Sequence, residues 1–255
     1  MNGEAIDPGE AHLWYTLADE VCDPAHLATL ESLLTSEERA RRERYRFERD
    51  RHQFVVARGL LRWTLSHYLG LPAEALRFRA GPHGKPELDG KPELAVGAAP
   101  TALEFNLSHA AGVVACAVAR DAEIGIDVED HAGAADIDAV ARSFAPSERA
   151  DLDAVRGAAR QERFLAYWTL KEAYLKARGE GLGLPLDGFA FTLAPASPPR
   201  IAFGPAIADN PADWRFAELR LTESAVAAIA LRTRFDLAVR VRKTSPFAPG
   251  AAPGR

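Results

Sequence analysis

Residues 164–179 read FLAYWTLKEAYLKARG, a helical run unbroken by proline or glycine until Gly179. At about 100° per residue with Phe164 at zero, Leu175, Trp168 and Leu165 fall at about 20°, 40° and 100°, and that arc is the face expected to be buried. Glu172 falls at about 80°, inside the arc, while Lys176 at about 120° and Lys171 at about 340° flank it. A Glu172–Lys176 pair at i, i+4 on a solvent face would be worth roughly 0.3 kcal/mol. On a core-facing arc a lone charge is costly, so this carboxylate needs partners elsewhere in the chain.

The strand-like stretch at 124–129, IGIDVE, offers them. Period-two alternation puts Asp127 and Glu129 on one face, about 6–7 Å apart, and turns Ile126 and Val128 into apolar packing on the other. Two carboxylates presented together repel unless a cation lies between them or one takes a proton. Oxygen donors without nearby His or Cys suit Mg²⁺, and Glu172 is the natural third ligand. The ordinary alternative is a strand edge with its acids in water. Positive charge for phosphates is available from Lys171, Lys176, Lys85, His109 and the run Arg39, Arg41, Arg42, Arg44 and Arg46. That run serves equally as a solvated helix face or as an anion-binding patch.

Composition narrows the class. The 255 residues are 47% hydrophobic and 26% charged, an ordinary globular balance, and the net charge of −5 argues against a dedicated nucleic-acid binder. Only five of the 31 basic residues are lysine, and two of those lie in the 164–179 helix. Cys22 and Cys116 are too few for a disulfide framework and read as free thiols of a reducing compartment. The N-terminus has no signal-peptide pattern and no apolar run is long enough to span a membrane, so a soluble cytoplasmic protein is expected. No G-x-x-x-x-G-K-[ST] loop occurs, no G-x-G-x-x-G follows a strand, and G-x-S-x-G and H-E-x-x-H are missing, which removes P-loop, dinucleotide-fold and common hydrolase readings.

The pattern predicts a first strand at 12–18 and helices at 25–34, 37–47 and 50–69, the second opened by the capping signal Thr35-Ser36-Glu37-Glu38. A Gly/Pro-rich stretch with a turn at 81–88 follows, then a short strand at 105–107. Strands at 112–120 and 124–129 read as an antiparallel hairpin. Helices are expected at 137–143, 146–155 and 160–178, and an antiparallel sheet from 189–193, 201–203, 214–221 and 225–231. The fold class is α+β: two similar lobes related by a pseudo-two-fold, each a small, mostly antiparallel sheet packed with a long helix. The expected boundaries are an N-terminal lobe at 1–123, a C-terminal lobe with the metal site at 124–242 and a disordered tail at 243–255.

FNLSH at 105–109, IGIDVE at 124–129 and WTLKEAYLKARGEGL at 168–182 resemble the three signature blocks of Sfp-type 4′-phosphopantetheinyl transferases, in the family's order, and HGKPEL at 83–88 looks like its GKP turn. The resemblance spans about residues 37–193. It implies transfer of the phosphopantetheine arm of coenzyme A to a serine of an apo acyl or peptidyl carrier protein, with CoA and Mg²⁺ (Mn²⁺ as a substitute) in a cleft between the lobes of a monomer. It implies Asp127, Glu129 and Glu172 as metal ligands, with Glu172 or a water it orients as base. Lys176, with Lys171 nearby, would stand at the phosphates. Ser108, His109 and Arg41 would meet the 3′-phosphate, and Gly84, Lys85 and Pro86 would border adenine. A second-helix arginine of some members matches Gln53 here, with Arg51 or His52 as substitutes. Two rival readings of the acidic and basic residues are a Mg²⁺-dependent nuclease, disfavoured by the net charge, and a non-catalytic CoA- or carrier-binding scaffold, disfavoured by three carboxylates.

Overall fold

The structure is a computed structural model that describes residues 4–81, 86–89, 93–94, 101–131, 137–179 and 183–248. In chain order it contains β1 (Glu10–Leu17), α1 (Pro24–Ser32), α2 (Ser36–Glu43), α3 (Glu48–Leu69), β2 (Phe78–Ala80), β3 (Pro86–Leu88), β4 (Glu93–Leu94), β5 (Thr101–Ala110), β6 (Val113–Arg120) and β7 (Ile124–Asp130). There follow α4 (Ile137–Ala141), α5 (Pro146–Asp153), α6 (Gly157–Arg178), β8 (Phe189–Thr192), β9 (Arg200–Phe203), β10 (Trp214–Arg220), β11 (Ala225–Arg232) and β12 (Ala238–Lys243).

The fold is α+β, with two main sheets ordered β12-β1-β6-β5-β4 and β10-β11-β7. All their pairings are antiparallel except β1 with β12. Strand alternation builds four layers. Val114, Cys116 and Val118 of β6 face Leu60, Leu61 and Leu65 of α3 in one core. Ala115, Ala117 and Ala119 turn the other way and meet Ile126 and Val128 of β7 and Ala227 and Ile229 of β11 in a second. The remaining faces of β7 and β11 lie under α6, where Ala228 and Ala230 join Phe164, Leu170 and Ala173. The order is therefore helix, sheet, sheet, helix, with alanines letting the two sheets approach.

The expected hairpin of 112–120 with 124–129 does not form. β6 pairs with β1 and β5, whereas β7 pairs with β11 in the other sheet. The chain changes sheets at 121–123. The edge of β7 is satisfied instead by side chains of β5: Asn106 Oδ1 accepts from Ile126 N at 3.0 Å and Ser108 Oγ from Val128 N at 3.1 Å. Strand 105–107 is correspondingly longer than expected, and 189–192 with 200–203 form a separate two-stranded sheet.

Residues 243–248, expected to begin a disordered tail, are held in place. Lys243 ends β12, Thr244 N donates to Tyr15 O at 2.9 Å, and Phe247 packs on the α3 core. β12 itself extends the first sheet, so the chain returns to the first lobe after completing the second. Residues 249–255 lie outside the described residues, as do Gly84 and Lys85 of the expected GKP turn. Among the described residues no helix is long and apolar enough to cross a membrane.

Candidate active site

Gly125 explains how the second lobe brings the acidic residues together. A Cβ there would stand 2.0 Å from Ala173 O and 2.4 Å from Ala177 N of α6. The missing side chain lets the helix rest on the strand, a close approach open only to glycine. Asp127 and Glu129 follow on the same face and meet the same helix. Lys176 Nζ lies 2.5 Å from Asp127 Oδ1, and Trp168 Nε1 donates to Glu129 Oε1 at 2.8 Å. Glu172, between Trp168 and Lys176, feels the charges of both Asp127 and Glu129.

Electrostatics mark this face as short of positive charge. Burial, then the charge of Asp127, raises the Glu172 carboxyl to about 7. Burial raises Asp127 against the pull of Lys176, and burial followed by Asp127 raises Glu129. Asp127 Oδ2 is buried without a hydrogen-bond partner. An orphaned carboxylate oxygen beside two further carboxylates is a donor set for a hard divalent cation. Among the described residues no three such side chains are already grouped to hold a metal. Instead the Lys176 ammonium rests on Asp127. The donors fit the ion by chemistry, and Lys176 offsets part of their charge.

Ser108, expected at the phosphate end of CoA, joins this cluster. Its Oγ lies 3.3 Å from Asp127 Oδ1, accepts from Lys176 Nζ at 2.9 Å and from Val128 N, and the residue is buried. His109, next along β5, reaches the surface. Its pKa is lowered by desolvation and by the neighbouring charges of Lys176, Arg58 and Arg41. These four side chains mark a basic corner beside a cleft of about 970 Å³ lined by Tyr45, Gln53, Phe54, His109 and Gly112.

Arg41 is exposed, with its guanidinium 5.9 Å from the Phe54 ring centre. The substitutes expected for the second-helix arginine are occupied elsewhere. Arg51 donates to Tyr45 O and Glu48, His52 lies 2.8 Å from Ala18 O, and Gln53 accepts from Gly112 N. A further cation of α3 at this corner is Arg58, one turn beyond Phe54 and 5.2 Å from its ring centre. Its sequence signal was a charge set within the apolar run of that helix. Pro86 opens β3 and pairs with Ala80, in a hairpin whose Phe78 packs on Phe105.

Lys171, expected near the phosphates, is turned into the protein interior. It is fully buried, lies 2.8 Å from Glu148 Oε2, and donates to the carbonyls of Leu186 and Phe189 at 2.7 and 2.8 Å. Three acceptors require three N–H donors, so the group is an ammonium whose bonding capacity is spent. Glu148 in turn accepts from Ala145 N and Phe191 N. The helical wheel placed Lys171 at the margin of the buried arc, but α6 is covered on a second side by α5 and β8, and the margin lies inside.

The family model for the 4′-phosphopantetheinyl transferase superfamily matches residues 123–230, and that for the N-terminal part of 4′-phosphopantetheinyl transferases matches residues 22–121. The chain belongs to the 4′-phosphopantetheinyl transferase superfamily. It is similar to the 4′-phosphopantetheinyl transferase HetI of Nostoc sp., with 35% identity over 87% of each chain. It is similar also to the 4′-phosphopantetheinyl transferase Sfp of Bacillus subtilis, with 30% identity over 64% of this chain and 67% of that one. The chain is accordingly an enzyme that transfers phosphopantetheine to carrier proteins. The nuclease and scaffold readings are disfavoured.

Proposed function

We propose that the enzyme moves the 4′-phosphopantetheine arm of coenzyme A onto a serine hydroxyl of an apo acyl or peptidyl carrier protein, releasing adenosine 3′,5′-bisphosphate. The observation that carries the residue assignment is the contact of α6 with β7 at Gly125, which faces Glu172 and Lys176 toward Asp127 and Glu129. Asp127, Glu129 and Glu172 would hold Mg²⁺, or Mn²⁺ in its place, and the ion would supply neutralisation of pyrophosphate charge.

The chain's own groups do the rest. Glu172 takes the proton from the serine hydroxyl, directly or through a water it orients. The serine oxygen attacks the β-phosphorus, and the bond to the bisphosphate oxygen breaks. Lys176 exchanges Asp127 for the phosphate oxygens and offsets charge on the leaving group. Ser108 holds Asp127 and Lys176 in place. His109, Arg41 and Arg58 bind the 3′-phosphate, and Gly84, Lys85 and Pro86 would border adenine. The reading carries with it a monomer in the reducing cytoplasm, consistent with two free cysteines.

The experiment is incubation with CoA, Mg²⁺ and a panel of apo carrier proteins, read by intact mass. A gain of one phosphopantetheinyl group on the carrier, lost with chelator, is the expected result. No gain on any carrier would overturn the reading.

A further inference from the structure

The basic corner depends on one carboxylate that touches no ligand in the reading above. Glu38 is the third residue of α2, and its carboxylate accepts from Thr35 N in the capping box that opens that helix. The same carboxylate receives both terminal nitrogens of Arg62, at 3.3 and 2.7 Å, and lies 3.4 Å from Arg58 Nε. Arg62 is 1% exposed, Arg58 12% and Glu38 13%, so the cluster is largely withdrawn from water.

Within it the charges do not balance. Arg41 and Arg62 both act on Arg58, and Glu38 is the acid that opposes them. Around Arg58, three guanidiniums including its own are set against one carboxylate, leaving two positive charges in excess. Arg62 is closed off by Glu38 on one side and by the Phe78 ring, 5.0 Å away, on the other. The nearest approach of Arg58 to Glu38 is Nε at 3.4 Å, an ion pair without a hydrogen bond, and among the described residues no protein acceptor is hydrogen-bonded to its terminal nitrogens. Those nitrogens form the fork that binds phosphate oxygens in pairs. Two excess charges beside His109 match a phosphate monoester, which carries close to two negative charges, better than a diester, which carries one.

We propose that Glu38 is a positioning residue for recognition of a terminal phosphate monoester. It fixes the Arg58 fork through Nε and, by its bond to buried Arg62, seats α2 on α3 so that Arg41 and Arg58 converge over Phe54. The inference rests on the transferase reading, in which that monoester is the 3′-phosphate of CoA. Glu38 then sets the preference for CoA over 3′-dephospho-CoA without touching either.

The test compares wild type and Glu38→Gln with CoA and with 3′-dephospho-CoA as donors. Loss of the Glu38 charge, which holds Arg62 by charge-assisted hydrogen bonds and pairs with Arg58, predicts a rise of about tenfold in KM for CoA, with kcat and KM for 3′-dephospho-CoA near wild type. Arg58→Ala should collapse the same preference. An equal rise in KM for both donors, or an unchanged ratio, overturns the proposal. If Glu38→Gln fails to fold by circular dichroism, Glu38→Asp keeps the charge but draws it back from Arg58. It should narrow the preference in the same direction, and an unchanged ratio again overturns the idea. Calorimetry with adenosine 3′,5′-bisphosphate and AMP separates this inference from the reading beneath it. Inability of the wild type to transfer from either donor sinks the transferase reading, while the ratio of the two nucleotide affinities, expected to narrow in Glu38→Gln, still decides the role of Glu38.

Discussion

Lys171 and Lys176 lie five residues apart on one helix and do different work. The difference is in what surrounds each ammonium. Lys171 has no exposed surface and spends its three donors on Glu148 and two carbonyls, whereas Lys176 is 30% exposed at the mouth of the acidic cluster. Truncating one partner of a buried ion pair strands the other, so Lys171→Ala should lower unfolding free energy by about 3–5 kcal/mol in urea titrations. Lys171→Met, which refills the volume, should lose less, and the folded fraction should retain its KM for CoA. A selective rise in that KM would return Lys171 to the phosphates. Asp127→Ala should behave in the opposite way. Burial already works against the Asp127 charge, so its loss should shift Tm by only a few degrees while carrier modification disappears. Glu172→Gln should cost at least the roughly 10²-fold typical of a lost general base, measured as kcat at saturating CoA.

At the scale of elements, the site is a consequence of how α6 meets β7. Gly125 lies beneath Ala173 and Ala177, and Glu172 and Lys176 occupy the neighbouring turn. Gly125→Ala must lift the helix or bend the strand, because the atoms it meets are backbone. Overpacking of that kind costs about 1–3 kcal/mol, and it displaces Glu172 and Lys176 from Asp127 at the same time. Transfer rate should therefore fall further than stability, a comparison made by denaturant titration beside single-turnover kinetics. The pairing of helix and strand was legible in the sequence because each carries its own period: 3.6 in 164–179, and two in IGIDVE. Glu172 also stood out as an acid on an apolar arc. The sheet change at 121–123 was not legible. Strands β6 and β7 are both apolar and joined by a short turn, the usual signature of a hairpin, and nothing local says that Asn106 and Ser108 side chains will take the place of a backbone ladder. Glu148 was equally hidden, since an acid in the first turn of α5 looks the same whether it caps the helix or neutralises a lysine beyond it. Glu38 does both kinds of work, and only the capping half was written in Thr35-Ser36-Glu37-Glu38.

At the scale of the whole molecule, the chain closes on itself. β12 pairs in parallel with β1, and Arg242 at its end holds Glu4 through both terminal nitrogens. Glu4 also bonds His67 of α3, while His12 and Trp14 of β1 both meet the Tyr68 hydroxyl. Residues more than 230 positions apart thus share one polar cluster, which no local pattern reveals and which makes the last strand part of the first lobe. The cluster predicts how the protein fails in acid. The Arg242 hydrogen bond lowers the Glu4 carboxyl from an ordinary 4.5 to about 2. A carboxyl held below its unfolded value contributes its full stabilisation above pH 4.5 and loses it as pH falls toward 2. The shift corresponds to about 1–3 kcal/mol once partial exposure is allowed for. Glu4→Gln should therefore reduce stability at neutral pH by that amount, and the deficit relative to wild type should shrink as pH falls from 4.5 toward 2. Urea titrations of both proteins at stepped pH measure this directly. A deficit that stays constant down to pH 2 would mean that Glu4 supports the terminal strand by packing, and that its charge contributes nothing to closing the chain.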